Sequence, residues 1–139
     1  MSKKIIVLTG ATGFVGSAIA AKMECKELRL ISRCDPKIPN TIFCKAAICK
    51  SSNYQYFLQN SDVVIHSAAR VHVMKDLAKD PLAEFRAVNV EGTLNLARQA
   101  AEAGVKRFIF LSTIKVLGEN TVLGKPFTND DRLDPQDPY

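Results

Sequence analysis

The sequence predicts an α/β fold around a doubly wound parallel sheet, and three observations carry the prediction. Apolar runs of strand length alternate with helical segments along the whole chain, as in sheets whose strands are joined by helices. The runs KKIIVL and DVVIH are continuous rather than alternating with polar residues, which suits strands covered on both faces. The first run passes directly into a glycine-rich turn and a helix start, TGATGFVG. Right-handed crossovers then place helices on both faces of the sheet.

Each element follows in order. Ile5 to Leu8 make the first strand, and Ala18, Ile19, Ala21 and Met23 sustain a helix of about two to three turns after the glycines. LRLIS is a second strand, closed by the loop RCDPKIPN with its two prolines. TIFCKAAI holds a third strand, and SSNYQYFLQN a short helix capped by Ser51 or Ser52. DVVIHSAA is a fourth strand running into a turn of small residues. Asp80 and Pro81 supply an N-cap and a first-turn proline for a long helix that Gly104 stops. KRFIFLST is a fifth strand, and residues 114–139 read as loop.

Composition narrows the function. The 139 residues suit one domain, spanning 1–139, with enough length to bury a core. Apolar residues make up 47%, too many for disorder. The net charge of +5 comes from basic residues spread along the chain, which excludes a nucleic-acid surface. No stretch approaches a membrane span, and IIVL is too short for a signal peptide. The four cysteines, at 25, 34, 44 and 49, form no Cys-x-x-Cys and no histidine pair flanks them. Free thiols in a reducing cytoplasm are expected, and no metal. His66 and His72 are expected to be structural or surface residues.

The turn TGATGFVG carries the chemistry of the first half. Gly10 permits a tight turn, Gly13 lets a pyrophosphate approach the backbone, and Gly16 lets the helix pack close to the strand. The helix N-terminus then offers free N–H groups and a partial positive charge to the anion. On the later helix, Asn89 shares a stripe with Leu82, Phe85, Gly92, Leu96 and Ala100. Burying an unpaired amide costs on the order of 1–3 kcal/mol, so Asn89 is expected to have partners.

The glycine spacing of three and three resembles the short-chain dehydrogenase/reductase superfamily. The resemblance extends along nearly the whole chain in the form of the extended branch, the nucleotide-sugar epimerases and dehydratases. DVVIHSAA resembles its strand-four motif, NVEGTLNL its helix-four motif, RFIFLSTIKVLGE the strand bearing a catalytic hydroxyl, and PQDPY the approach to its Tyr-x-x-x-Lys active site. The implied fold is a Rossmann-like doubly wound parallel sheet, truncated here before its C-terminal strands and substrate domain. The implied cofactor is NAD or NADP. Its binding residues are implied to be Gly10, Thr12, Gly13, Phe14, Val15, Gly16, Ser32, Arg33, Ala47, Ile48, Ser67, Ala68, Ala69, Arg70 and Ser112.

An NAD site usually has an acid at the end of strand two. Ser32 stands there, followed by Arg33, a pair that suits a 2′-phosphate and favours NADP. Asp35 stands within reach of a ribose, and Ala47-Ile48 replace the acid-hydrophobic pair near the adenine.

The resemblance assigns catalysis to Thr113, Tyr139 and Asn89. Thr113 hydrogen-bonds a sugar oxygen, Tyr139 is the acid–base residue, and Asn89 orders the active-site end of its helix. The lysine of Tyr-x-x-x-Lys falls past Tyr139. The chain is therefore expected to be the front of a longer protein, inactive by itself and a homodimer when complete. Family dehydratases follow the catalytic Thr with Asp and Glu; Ile114 and Lys115 stand here and count against dehydration. Epimerisation or 4-keto reduction remains, and AARVHVM and STIKVLGE resemble bacterial sugar epimerases of surface-polysaccharide metabolism, which implies a cytoplasmic nucleotide-diphosphate-sugar 4-epimerase acting on a UDP-sugar. A 4-keto-sugar reductase using NADPH and a non-catalytic NAD(P)-binding module are the alternatives, with neither nucleic acid nor membrane as partner.

Overall fold

The computed structural model describes residues 4–71, 80–137 and 139. His72 lies outside the described residues. In chain order the elements are β1 (Ile5–Thr9), α1 (Phe14–Lys22), β2 (Glu27–Ser32), β3 (Ile42–Lys45), α2 (Gln55–Leu58), β4 (Val63–His66), α3 (Pro81–Phe85), α4 (Thr93–Glu102) and β5 (Arg107–Phe110). The five strands form one parallel sheet in the order β3-β2-β1-β4-β5. This is the doubly wound Rossmann-like half-sheet that the apolar runs predict.

The period-two alternation of side chains divides the core between the two faces. Ile6, Leu8, Leu28, Leu30, Val63 and Ile65 pack on one face with Ala20 of α1. Val7, Ile31, Cys44 and Val64 pack on the other with Leu58 of α2 and Leu96 and Ala100 of α4. Both faces are covered, so the strands could not carry a polar side. Arg29 is the exception on β2, and its guanidinium is held by Glu27 at 2.6 Å and by the carbonyls of Phe57 and Gln59.

Several boundaries differ from the expectation. The third strand stops at Lys45 because the carbonyl of Ala47 is taken by the Tyr54 hydroxyl, 2.7 Å away, which turns the chain. Neither Ser51 nor Ser52 caps α2. Ser52 Oγ donates instead to the Ala47 carbonyl, and the helix starts at Gln55, whose N–H donates to Asn53 Oδ1. The fourth strand ends at His66, leaving Ser67 to Ala69 as loop.

The long helix begins as expected, with the Ala83 N–H donating to Asp80 Oδ1 at 3.0 Å and Pro81 in the first turn. Gly104, at φ 76°, follows its end. Between α3 and α4, however, residues Arg86–Gly92 form a π-helical segment. Beyond β5 the chain is not all loop: Ile114–Leu117 make one 3₁₀ turn, and Val122 pairs with Lys125.

Candidate cofactor and active site

The sheet order puts the point where the connections reverse direction between β1 and β4. Open α/β sheets bind ligands outside the carboxyl ends of the strands at such a point. The loops leaving β1 and β4 meet there. A Cβ on Gly10, which sits at φ 76°, would lie 2.7 Å from the Ala68 nitrogen and from Ser67 Oγ. Only glycine fits. Ser67 Oγ donates to the Thr9 carbonyl at 2.6 Å, and the Ala68 N–H donates to Thr9 Oγ1 at 3.1 Å.

Beneath this junction His66 is fully buried. Its Nδ1 is 2.7 Å from Thr9 Oγ1 and its Nε2 is 2.8 Å from Thr93 Oγ1. Burial pushes the imidazole down to about 4, so the ring is neutral at ordinary pH. Thr9 Oγ1 also accepts from Ala68, so the one hydroxyl joins the imidazole to the loop after β4. His66 is thus a structural residue that ties β1, β4 and α4 together under the site.

The turn before α1 fits a diphosphate. The Gly13 N–H donates to the Gly10 carbonyl, and Gly13 is the N-cap of α1 without a side-chain cap. The first turn carries no acid, and Thr12, Gly13, Phe14 and Val15 are exposed. A Cβ on Gly16 would lie 2.1 Å from the Gly10 carbonyl oxygen, so helix and turn touch backbone to backbone. At Gly13 the nearest atom would be 3.3 Å away. The outer side of the turn is open, and a bare helix N-terminus faces it.

Ser32 ends β2, with its carbonyl accepting from the Ala46 N–H, and Arg33 is exposed beside it. Asp35 is engaged locally: its carboxylate takes the Lys37 N–H at 2.9 Å and the Lys37 ammonium at 3.1 Å, which hold it below the usual carboxylate range. The Ala47-Ile48 loop is braced by residues that sequence reasoning missed. Asn95 Nδ2 donates to the carbonyls of Cys49 and Ser52, Gln99 Nε2 donates to Ser52, and Gln99 Oε1 accepts from the Tyr54 N–H. Two amides one turn apart on α4 were the available signal. Gly92 lets the helix meet Ile48, whose backbone a Cβ there would approach to 2.9 Å. All four cysteines are free, and the hydroxyls of Ser51 and Ser52 bring the Cys49 thiol down to about 7.

Asn89 is half-buried and has the expected partners. Its Oδ1 accepts from the Arg70 N–H at 2.7 Å, and its Nδ2 donates to the Arg70 carbonyl at 2.9 Å. The amide therefore holds the loop after β4 from both sides. The Arg70 guanidinium lies 5.5 Å from the Phe85 ring centre, and Phe85 meets the Tyr139 ring edge-on at 6.3 Å. Thr113 Oγ1 accepts from the Lys115 N–H at 3.3 Å and starts the 3₁₀ turn. Thr113 and Tyr139 line one cavity of about 260 Å³ together with Lys115, Val116, Pro135 and Asp137. Ser112 is exposed and does not line that cavity. Among the described residues no group of three or more His, Cys, Asp or Glu side chains is placed to hold a metal ion, and no helix is long and apolar enough to cross a membrane.

The chain is 43% identical to the UDP-glucose 4-epimerase of Vibrio cholerae over 98% of its length and 43% of that protein. It is 30% identical to the dTDP-D-glucose 4,6-dehydratase of Mus musculus, again over 98% of this chain and 42% of the relative. It therefore spans less than half the length of either. A short-chain dehydrogenase/reductase superfamily protein from Agrobacterium tumefaciens, solved with bound NAD, superposes with a TM-score of 0.78 at 27% identity, covering 97% of this chain and 40% of that one. The family model for the NAD dependent epimerase/dehydratase family matches residues 6–139, and the chain belongs to that family.

Proposed function

We propose that residues 1–139 form the NAD(P)-binding domain of a nucleotide-diphosphate-sugar 4-epimerase acting on a UDP-sugar. The observation that carries the proposal is the cavity that Thr113 and Tyr139 line together in the segment that follows β5. The 43% identity to a UDP-glucose 4-epimerase supports the substrate class. Dehydratases match as well, but Lys115 stands where they resemble one another in carrying a carboxylic acid. Its ammonium is bound by Asp137 and Glu119, which hold its proton more tightly than usual, so it is a weaker acid than the carboxylic acid it replaces.

A nicotinamide cofactor, when bound, supplies the hydride acceptor and then the donor. Gly10, Thr12, Gly13, Phe14, Val15 and Gly16 would hold its diphosphate, and Ser32, Arg33, Ala47 and Ile48 its adenosine end. Ser67, Ala68, Ala69, Arg70 and Ser112 would follow its nicotinamide side. Tyr139 would take the proton of the sugar C4 hydroxyl and would return it to the same oxygen when the alcohol is re-formed, and Thr113 would donate a hydrogen bond to that oxygen throughout. Asn89 keeps the loop of Arg70 in place beside the reaction.

The reading expects a lysine in Tyr-x-x-x-Lys register with Tyr139, and the gene read beyond codon 139 tests this. The full-length product should interconvert UDP-glucose and UDP-galactose without net consumption of NAD(H). Stoichiometric oxidation of NADPH in place of interconversion would make it a keto-sugar reductase. Dinucleotide binding with neither reaction would make it a binding module.

A further inference from the structure

The carboxylate of Asp137 joins its own segment to Lys115, 22 residues earlier in the chain. One oxygen accepts from the Lys115 ammonium, and the other accepts from the Tyr139 N–H at 2.9 Å. Lys115 belongs to the 3₁₀ turn that starts at Thr113, and its own amide donates to the Thr113 hydroxyl. Its ammonium also meets Glu119 Oε1 at 3.2 Å. Resting on the reading of Tyr139 as the acid–base residue, we propose that Lys115 is a positioning residue that holds Tyr139 against Thr113 through Asp137.

The chain between these partners is irregular. From 118 to 137 it contains one isolated bridge and no helix. A second tie, from the Asp134 N–H to the Val116 carbonyl at 2.9 Å, lands on the same 3₁₀ turn. Fixing a backbone residue costs conformational entropy, so a loosely held tyrosine would spend much of its time away from the threonine. A clamp assembled before the substrate arrives removes that cost from the reaction.

Lysine suits the task because its single charge can bind carboxylates from two segments at once. The pair is partly shielded, with Lys115 34% and Asp137 24% exposed, so solvent screens it less than a rim pair. This also gives Lys115 a reason to stand beside the catalytic hydroxyl without taking part in proton transfer.

The test is NMR on the ligand-free 139-residue chain with labelled tyrosine, of which there are three. Tyr139 is read by the exchange rate of its amide and by the ring-current shift that Phe85 imposes on its ring. Buried Tyr54 reports on the fold. Lys115→Met is expected to speed Tyr139 amide exchange at least tenfold and to erase the ring-current shift while Tyr54 is unmoved. Lys115→Arg is expected to restore both signals, and Glu119→Gln to leave them unchanged.

Asp137→Asn keeps an acceptor for the Tyr139 amide but loses the ion pair, and is expected to release the ring as Lys115→Met does. Should Lys115→Met fail to fold, Asp137→Asn decides in its place. Unchanged Tyr139 signals in the deciding variant would overturn the proposal, as would equal signals in the Met and Arg variants. Because no ligand is present, failure to bind dinucleotide or to epimerise would count against the proposed function and leave this result untouched.

Discussion

A methyl group added at Gly16 would sit 2.1 Å from a backbone carbonyl that has nowhere to go, whereas one added at Gly13 would meet its nearest neighbour at 3.3 Å. The two glycines therefore separate folding from binding. Gly16→Ala is expected to destabilise the protein by about 2–3 kcal/mol, as overpacking does, and to abolish NADH binding. Gly13→Ala is expected to unfold near the parent temperature but bind NADH more weakly. Thermal unfolding and a fluorescence titration check both. His66 adds a pH dependence. Its folded value is about 4 against an ordinary 6.5, so the unfolded chain binds the proton more readily. Stability is full above pH 6.5 and falls as pH drops towards 4, by about 3 kcal/mol. Urea titrations at pH 7 and pH 4.5 should show the loss, and His66→Gln should flatten it. At Arg33 the proposal of a 2′-phosphate contact expects Arg33→Ala to lower the ratio of NADPH to NADH affinity; an unchanged ratio refutes it.

At the scale of elements, the long helix shows where periodicity stops informing. A spacing of three and four predicts a continuous helix, and the caps at Asp80 and Gly104 were readable because capping depends on residue type. The π-helical segment over Arg86–Gly92 was not readable, since its composition matches that of an α-helix. Within it, Asn89 reaches both polar groups of Arg70 and Gly92 meets Ile48. Truncating Asn89 to Ala leaves two backbone groups of Arg70 without this partner and is expected to cost about 1–3 kcal/mol. Asn89→Asp, which keeps the acceptor and loses the donor, should fall between. Denaturant midpoints order the three proteins. The cap of α2 was misjudged for a related reason. Ser52 and Tyr54 both donate to the Ala47 carbonyl, and those side-chain bonds, not backbone propensity, set where the chain turns.

For the whole molecule, the sheet ends at β5, where Ile109 and Phe110 are 40% and 52% exposed. Val90 and Leu94 on the helical layer are 48% and 56% exposed. Exposed apolar residues beside an uncovered strand edge favour association. The 139-residue chain is expected to scatter light as more than one chain, with apparent mass rising with concentration, and Leu94→Glu should lower it. A monodisperse monomer across the range would show that this surface is tolerated as it is.

By itself the sequence determined the layer order, the two-sided burial of the strands and the place of the glycine turn. These depend on apolar periodicity and on residues with special backbone freedom, both of which are local. Thr113, Tyr139 and Asn89 were named from their motifs, but their partners were not. Only the tertiary structure decided that Asn89 holds Arg70, that His66 sits neutral beneath the site, and that Asp137 links Lys115 to Tyr139. Each of those contacts joins residues brought together by the parallel crossovers or the chain beyond them, and a hydrogen bond forms between neighbours in space whatever their separation along the chain.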